Sequence, residues 1–342
     1  MTDSLDQHLQ QLRDRRAGIA VLARELLARK AIEEVTATLS AVHRDLHEQA
    51  FTLAMSRMKR EGAPPDPDVA FAFVMLGSGA RDEQSIVSDQ DHALVYDTDD
   101  ARWEPYFTRL SELTTAHLHE IGYPLCKGNV MASNVRWRGS PSRFAAQFSE
   151  YEAFPDWDHI RYLLIASDAR TIAGMDELTS RLRSQAVQAV ARSGFMKWKT
   201  ADQGLAQRVS LTLLGHLRTE TAGAYKGLFG VKEGLYTPLV SSVRVWALSV
   251  GIEEPATVMR IASLVRSRVW TEDLAASVLH ALRVILRTRV RHHVALAEAD
   301  RPIDDYVDPL ALSTDTLDDL KRAHRTVRNL QQLTAKHFPR GG

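Results

Sequence analysis

The sequence is short of several things, and each shortage narrows what it can be. It holds one cysteine, Cys126, in 342 residues, so no disulfide can form within the chain, as suits a reducing compartment. Neither charge is in excess, because Lys+Arg and Asp+Glu are both 43. At zero formal net charge, no global field draws the chain to nucleic acid or to a membrane surface. No apolar run approaches the ~20 residues needed to span a bilayer. The opening MTDSLDQHLQQLRDRR has no apolar core of the kind a signal peptide carries. Internal repeats and low-complexity segments are missing too. These absences leave a cytoplasmic chain of ordinary globular composition, 44% hydrophobic and 25% charged. Its length suggests two domains or one large one.

Proline is missing before Pro64, and residues 4–61 carry a helical period. Leu12, Ile19, Leu22, Leu26, Val35, Leu39, Val42 and Leu46 recur at mostly three-to-four-residue steps with charge between them. A break near Lys30 gives two or three helices. They form either a partner-binding arm or, as favoured here, a bundle packed on the next domain. The cluster EGAPPDP at 61–67 marks a boundary. Residues 66–175 then alternate apolar runs with helical stretches, as a small α/β or α+β domain does. Strands are expected at 71–76, 93–96 and 159–168, and helices at 103–121 and 144–157. From 176 onward the pattern is helical, over 178–190, 207–217, 238–250, 256–266, 271–296 and 316–337. The expected organisation is 1–65 helical, 66–175 α+β, and 176–342 an all-α bundle.

The rest of the chain is organised around residues 71–97, FAFVMLGSGARDEQSIVSDQDHALVYD. This reads as strand, glycine turn, short helix over 80–88, then strand. Asp89 and Asp91 are two residues apart at the mouth of a strand, so both point to one face. Two bare carboxylates on one face repel, and a bound Mg²⁺ relieves that. Gly77 and Gly79 allow tight backbone and close approach of a phosphate. The Ser78 hydroxyl and the turn amides can bond phosphate oxygens, and Arg81 adds a positive charge. Phosphoryl or nucleotidyl transfer needs these parts. Two other interpretations compete. GSGARD nearly matches the dinucleotide fingerprint GxGxxG, with Asp97 where a ribose-binding acid belongs. Its third glycine is replaced by Asp82, however, and ARDEQSIVSDQD has only Ile86 and Val87 to cover a sheet. A structural hairpin with solvated aspartates is the other.

The stretch resembles the signature of the polymerase-β-type nucleotidyltransferase superfamily, a Gly-Ser turn followed by Asp-x-Asp on the next strand. More narrowly, GSGARDEQSIVSDQDHALVY is similar to the GSxGRxEQxxxxDQDxALVY pattern of the DUF294 group, which is related to the uridylyltransferase domain of the PII-modifying enzyme. YPLCKGNVMASN, LLIASDAR and GLFGVKEGLYTPLVSSVRVWAL resemble further family segments, the last opening its helical substrate-binding region. The resemblance covers about residues 35–340. It implies an α+β, polymerase-β-like nucleotidyltransferase domain with a small mixed sheet, between an N-terminal helical arm and a C-terminal all-α bundle. It also implies a Mg²⁺-dependent enzyme of adenylyl- or uridylyltransferase type, with two metal ions (or Mn²⁺). Such an enzyme moves an NMP from ATP or UTP to a hydroxyl of a protein or small molecule, in signalling or regulation. Gly77 and Ser78 would hold phosphates, and Asp89 and Asp91 the metals. Asp168, placed at the end of the 159–168 strand, would be the third carboxylate, with Arg170 beside it. Ala80 stands where the family usually has glycine. Residues 1–65 are too few and too helical for the sensor modules common in the family, so any sensing is expected from another chain or from the helical arm.

Secondary candidates surround this core. Lys127, Gly128 and Asn134 can contact base or ribose, with Cys126 lining the pocket beside them. Lys226, Lys232 and Arg244 lie in or after the glycine-rich stretch GAYKGLFGVKEG and can reach a triphosphate. Arg283, Arg287, Arg289, Arg291, His292 and His293 form a basic run, read as a solvated face or as a surface for an acidic partner. Nucleic acid and membrane are not expected as partners, and a homo-oligomer through the N-terminal helices is left open. A non-catalytic nucleotide-binding regulator that keeps the fold, or a helical scaffold with a vestigial cleft, are the competing classes.

Overall fold

The computed structural model describes residues 2–62, 69–206 and 217–340. The helix expected over 207–217 falls outside these, except for Leu217, and so do Pro64, Pro65 and Pro67 of the boundary cluster.

Two short helices, α1 (Thr2–Ala17) and α2 (Ile19–Leu27), lead to the long α3 (Ile32–Arg60). A four-stranded mixed sheet follows, with β1 (Phe71–Met75), β2 (His92–Tyr96), β3 (Arg138–Gly139) and β4 (Arg170–Gly174) in the order β3-β2-β1-β4. β1 runs antiparallel to both β2 and β4, and β2 runs parallel to β3. The helices between are α4 (Gly77–Ala80), α5 (Glu104–Glu120), α6 (Pro141–Ala153) and α7 (Trp157–Ala166). The helical half holds α8 (Asp176–Ala191), α9 (Gly194–Gly204), α10 (Thr237–Ser249), α11 (Thr257–Arg266), α12 (Glu272–Glu298) and α13 (Thr314–His337). A two-stranded ribbon, β5 (Phe229–Gly230) with β6 (Tyr306–Val307), ties its loops together.

The period of two in β1 and β2 places their side chains in two cores. Phe73, Leu94 and Tyr96 face α3 and α5; Phe51 stacks on Phe73 with ring centroids 4.6 Å apart, and Phe107 on Tyr96 at 4.0 Å. Ala72, Val74, Ala93 and Val95 face the other way, into a core built with α6, α7 and α8. A sheet covered on both sides explains why β1 and β2 read as unbroken apolar runs.

The N-terminal helices are no free arm. Leu9, Leu12, Ile19, Ile32, Val35, Leu39 and Leu46 are buried in the same core as α5 and α12, so these apolar positions are spent within the chain rather than left for a second copy. The break expected near Lys30 is present, between α2 and α3. Arg283 of α12 pairs with Glu33 of α3 and closes this side. α10 bridges the two cores, and almost every one of its residues is buried. Among the described residues, no helix is long and apolar enough to cross a membrane.

Two local expectations are corrected. Residues 159–168 are not a strand. Asp156 caps α7, its side chain accepting the His159 amide at 2.8 Å, and burial of Ile160, Leu163 and Leu164 follows a helical step. The strand comes later, as β4, after Asp168. Residues 80–88 are not a helix either. The helical turn is Gly77–Ala80 itself, and residues 81–91 form an irregular connection.

Candidate active site

The site begins at the C-terminal end of β1. After Met75 the chain turns at Gly77, whose φ is +59°, a left-handed conformation that costs glycine little. A Cβ there would lie 2.8 Å from Asp91 Oδ2, so glycine is also what lets the turn and the aspartate share one wall. Gly79 serves another purpose, since its Cβ would meet Met75 Sδ at 2.6 Å, and it packs the turn onto β1. Ala80 is buried at the end of the turn with negative φ, so its methyl group carries no backbone strain. Asp82, where a dinucleotide fold needs glycine, has φ +62° and anchors the turn. Its carboxylate accepts from Arg44 at 2.6 Å and from Arg170, through both oxygens, at 2.8 Å.

Asp89 and Asp91 line the same cavity, and Gln90 between them turns away. Its amide donates to the Thr115 and Tyr123 carbonyls at 3.3 and 3.0 Å, which fixes the register of the acidic pair. Asp89 is exposed, while Asp91 lies deeper. Burial pushes the Asp91 carboxyl up to about 6, with the Asp89 charge adding to the effect; the Cys126 thiol, Arg81 and Lys232 oppose it. Cys126 is a neutral donor to Asp91, its own thiol pushed up to about 11 by burial and by that carboxylate, so it is no nucleophile.

The cavity has a volume of about 670 Å³. The Gly77-Ser78 turn and the two aspartates form one wall, and Lys232, Tyr236 and Arg244 of the helical half form another. Lys232 and Tyr236 lie on a single π-helical turn, Lys232–Tyr236, that leads into α10; such turns recur at functional sites. Trp157, 54% exposed, stands at the rim with Arg161.

Behind the cavity lies a buried ion network that joins the two halves. Arg81 donates to Glu83 Oε2 at 2.8 Å, to Asp168 Oδ2 at 2.5 Å and to the Tyr236 hydroxyl at 2.8 Å. Tyr236 in turn donates to Glu83 Oε2 at 2.5 Å. Asp168 also receives Arg260 at 2.8 Å and Arg244 at 2.9 Å. Burial alone would raise the Asp168 carboxyl, but Arg244, Arg81 and Arg260 hold it below the usual carboxylate range. Burial lowers Arg244 to about 10, and its Nε has no partner. Glu83 Oε1 is likewise buried without a partner, and Glu83 lines the cavity. A second chain of bonds runs from Ser85 Oγ to His293 Nδ1 at 2.8 Å and from His293 Nε2 to Asp305 Oδ1 at 3.1 Å. Arg289 donates to Asp305 at 2.7 Å, and its guanidinium sits 4.7 Å from the centre of the Tyr236 ring.

Of the residues singled out from the sequence, Gly77, Ser78, Arg81, Asp89, Asp91 and Lys232 meet at the cavity. Gly79, Lys127, Asp168 and Arg170 do not line it. Asp168 has no solvent exposure and is saturated by guanidinium groups; a cation there would have to displace three positive charges. Arg170 is committed to Asp82, and Lys127 points to solvent. Asn134 caps a short 3₁₀ turn by accepting the Arg136 amide. Among the described residues no group of three His, Cys, Asp or Glu could hold a metal. Glu83 and Asp305 also line the cavity but are held by Arg81 and Arg289; the Asp89–Asp91 pair is of the kind that would suit a Mg²⁺ completing its shell with phosphates and water. Sequence reasoning missed Tyr236, Arg260, Arg289, Asp305, Ser85 and Trp157. Arg260 carried a signal, as a lone charge in the otherwise apolar-faced segment TVMRIASLV demands a buried partner.

A small mixed sheet, a Gly-Ser turn after its first strand and an acidic pair leading into its second define a nucleotidyltransferase-type fold. The family comparison agrees. Residues 17–156 match the family described as "Putative nucleotidyltransferase DUF294", and residues 195–338 match its companion, described as "Putative nucleotidyltransferase substrate binding domain". The chain belongs to the DUF294 family. No curated protein matches it.

Proposed function

We propose that the cavity binds a nucleoside triphosphate with Mg²⁺ and transfers its NMP to a hydroxyl of a protein or small-molecule acceptor. The observation that carries this proposal is the meeting of the Gly77-Ser78 turn with Asp89 and Asp91 on one wall, opposite Lys232 and Arg244 of the helical half. Asp89 and Asp91 would hold the magnesium. When bound, that ion supplies charge neutralisation at the phosphates.

The chain's own groups would do the rest. Ser78 and the turn amides bond phosphate oxygens, and Lys232 and Arg244 face the triphosphate with positive charge. Trp157 gives the base a face to stack on, and Arg161 lies beside it. The acceptor oxygen bonds to the α-phosphorus, the bond to the bridging oxygen breaks, and pyrophosphate leaves. The hydroxyl proton needs an acceptor, and Glu83, whose Oε1 is unpartnered at the cavity wall, would take it once the acceptor reaches that oxygen. Adenylyl or uridylyl transfer in a signalling role fits this chemistry equally well.

A second reading is a nucleotide-binding regulator without catalysis. It is favoured by the commitment of Asp168 to arginines, which leaves two carboxylates for metal where three were expected. One pair of measurements separates the two. Thermal melting with each NTP, with and without Mg²⁺, reads binding; at ~100 times the dissociation constant a ligand adds about 2.7 kcal/mol. Labelled NTP with a cell lysate reads transfer and pyrophosphate release. Binding without release supports the regulator, and no melting shift with any NTP sinks both. Asp89→Asn is expected to abolish the Mg²⁺-dependent part of the shift.

A further inference from the structure

Helix α12 has two working faces. Arg289 lines the cavity described above, and His293 bonds Ser85 in its wall. On another face Arg283, Arg287 and Arg291 line a second cavity, also of about 670 Å³. Its remaining walls are the connection that carries Arg301, Val307 and Asp308, and the first turns of α13. This part of the fold has no place in the proposed nucleotide chemistry.

The arginines are four residues apart, so they stand in one row along the helix, ~6 Å from each to the next. Arg283 is committed to Glu33. Arg287, Arg291 and, across the cavity, Arg301 have no acidic partner among the described residues. The acidic residues in the wall do not supply one. Asp319 is held by Arg322, and Asp308 accepts the Leu310 amide. Val284, Leu296, Val307 and Leu312 give the floor an apolar character. Like charges one turn apart repel, and a bound anion would relieve that.

We propose that this second cavity is a ligand site for a small organic anion carrying at least two phosphate or carboxylate groups on an apolar or aromatic body. Guanidinium groups suit both oxyanions, which they bind in bidentate fashion. The cavity is an open cleft of small-molecule size. A nucleic acid fits less well, because the chain has no net charge to hold a long polyanion.

The test is calorimetric titration of the full chain with inorganic pyrophosphate, without divalent metal. Both cavities are cationic, so the unaltered protein is expected to bind at two sites. Arg287→Ala with Arg291→Ala should lose one site, or weaken it at least tenfold, and keep the other. Lys232→Ala should do the reverse. Both arginines are exposed, so the double variant is expected to melt no lower than the parent. Unchanged stoichiometry and affinity in the double variant would overturn the proposal. So would loss of all pyrophosphate binding in Lys232→Ala alone. A single-stranded oligonucleotide that binds tighter than pyrophosphate, and only with both arginines present, would overturn it in favour of a nucleic-acid surface.

Discussion

Arg260 Nη1 lies 2.8 Å from Asp168 Oδ1, and neither side chain has measurable contact with solvent. The two come from different halves of the chain, and Arg81 and Arg244 complete the cluster around the same carboxylate. The pairing separates a structural role for Asp168 from the metal-binding role its family resemblance implied.

Asp168→Asn should therefore be a folding variant. Removing one partner of a buried ion pair typically costs about 3–5 kcal/mol, and here Arg244 and Arg260 lose the counter-charge they share, while Arg81 keeps Glu83. Urea unfolding is expected to show a loss of that size. A variant of normal stability that has lost only its Mg²⁺ response would return Asp168 to the metal site.

Gly77→Ala should combine two defects. The left-handed backbone costs about 1–2 kcal/mol for any residue with a side chain. The new methyl group would also press on Asp91 Oδ2. Gly251 is the control, with φ +76° and open space where a Cβ would go. Gly77→Ala is expected to lose at least as much stability in urea as the control, and only Gly77→Ala should lose the NTP-dependent rise in melting temperature.

The protein should be acid-labile for a defined reason. His43, His47 and His92 are buried and close together; burial first, with the nearby Arg16 charge for His43 and His47, lowers them to about 3, 4 and 3. Neutral imidazole is what the bonding requires. His43 accepts from Tyr123 and donates to the Ser85 carbonyl, and His92 Nδ1 accepts the Ala132 amide. The unfolded chain binds protons near pH 6.5 and the folded chain does not. Stability is thus fully present above about pH 6.5 and falls toward pH 4, by about 1.4 kcal/mol per pH unit for each histidine. Urea midpoints at pH 7.5, 6 and 5 read this directly. His47→Leu is expected to flatten the slope without abolishing it, since the buried His117 and His293 are lowered too, and an unchanged slope would show that other groups cause it.

Trp157→Ala tests the base platform. Stacking of a base on an aromatic ring is worth about 1–3 kcal/mol by alanine substitution, so nucleotide binding should weaken about five- to 150-fold. Trp157→Phe should restore most of it. Because the ring is half exposed, the melting temperature without ligand should barely move.

Much of the fold could be read in advance because it rests on local rules. Thr271 and Ser313 cap α12 and α13 as their positions suggest, each accepting an amide three residues on. The strand, turn and acidic pair at 71–97 were legible because glycine, serine and aspartate mark backbone and charge requirements that few other residues meet. Residues 159–168 misled because a short apolar run fits strand or helix, and the cap at Asp156 had to decide between them. The role of Asp168 was hidden because its partners, Arg244 and Arg260, lie more than seventy residues away. Ser85, His293 and Asp305 meet only once α12 lies against the acidic connection.

A partition between two rooms cannot be pushed from one side alone. α12 turns Arg289 toward one chamber and Arg287 and Arg291 toward the other, and the strip of chain that gives Asp305 to the first gives Val307 and Asp308 to the second. Any shift of this wall is felt on both sides. Thermodynamic reciprocity then fixes the bookkeeping: whatever factor an anion in the second chamber imposes on nucleotide affinity, nucleotide must impose on the anion. With a ligand in each chamber, the thickness of one helix is what would carry the influence of either to the other.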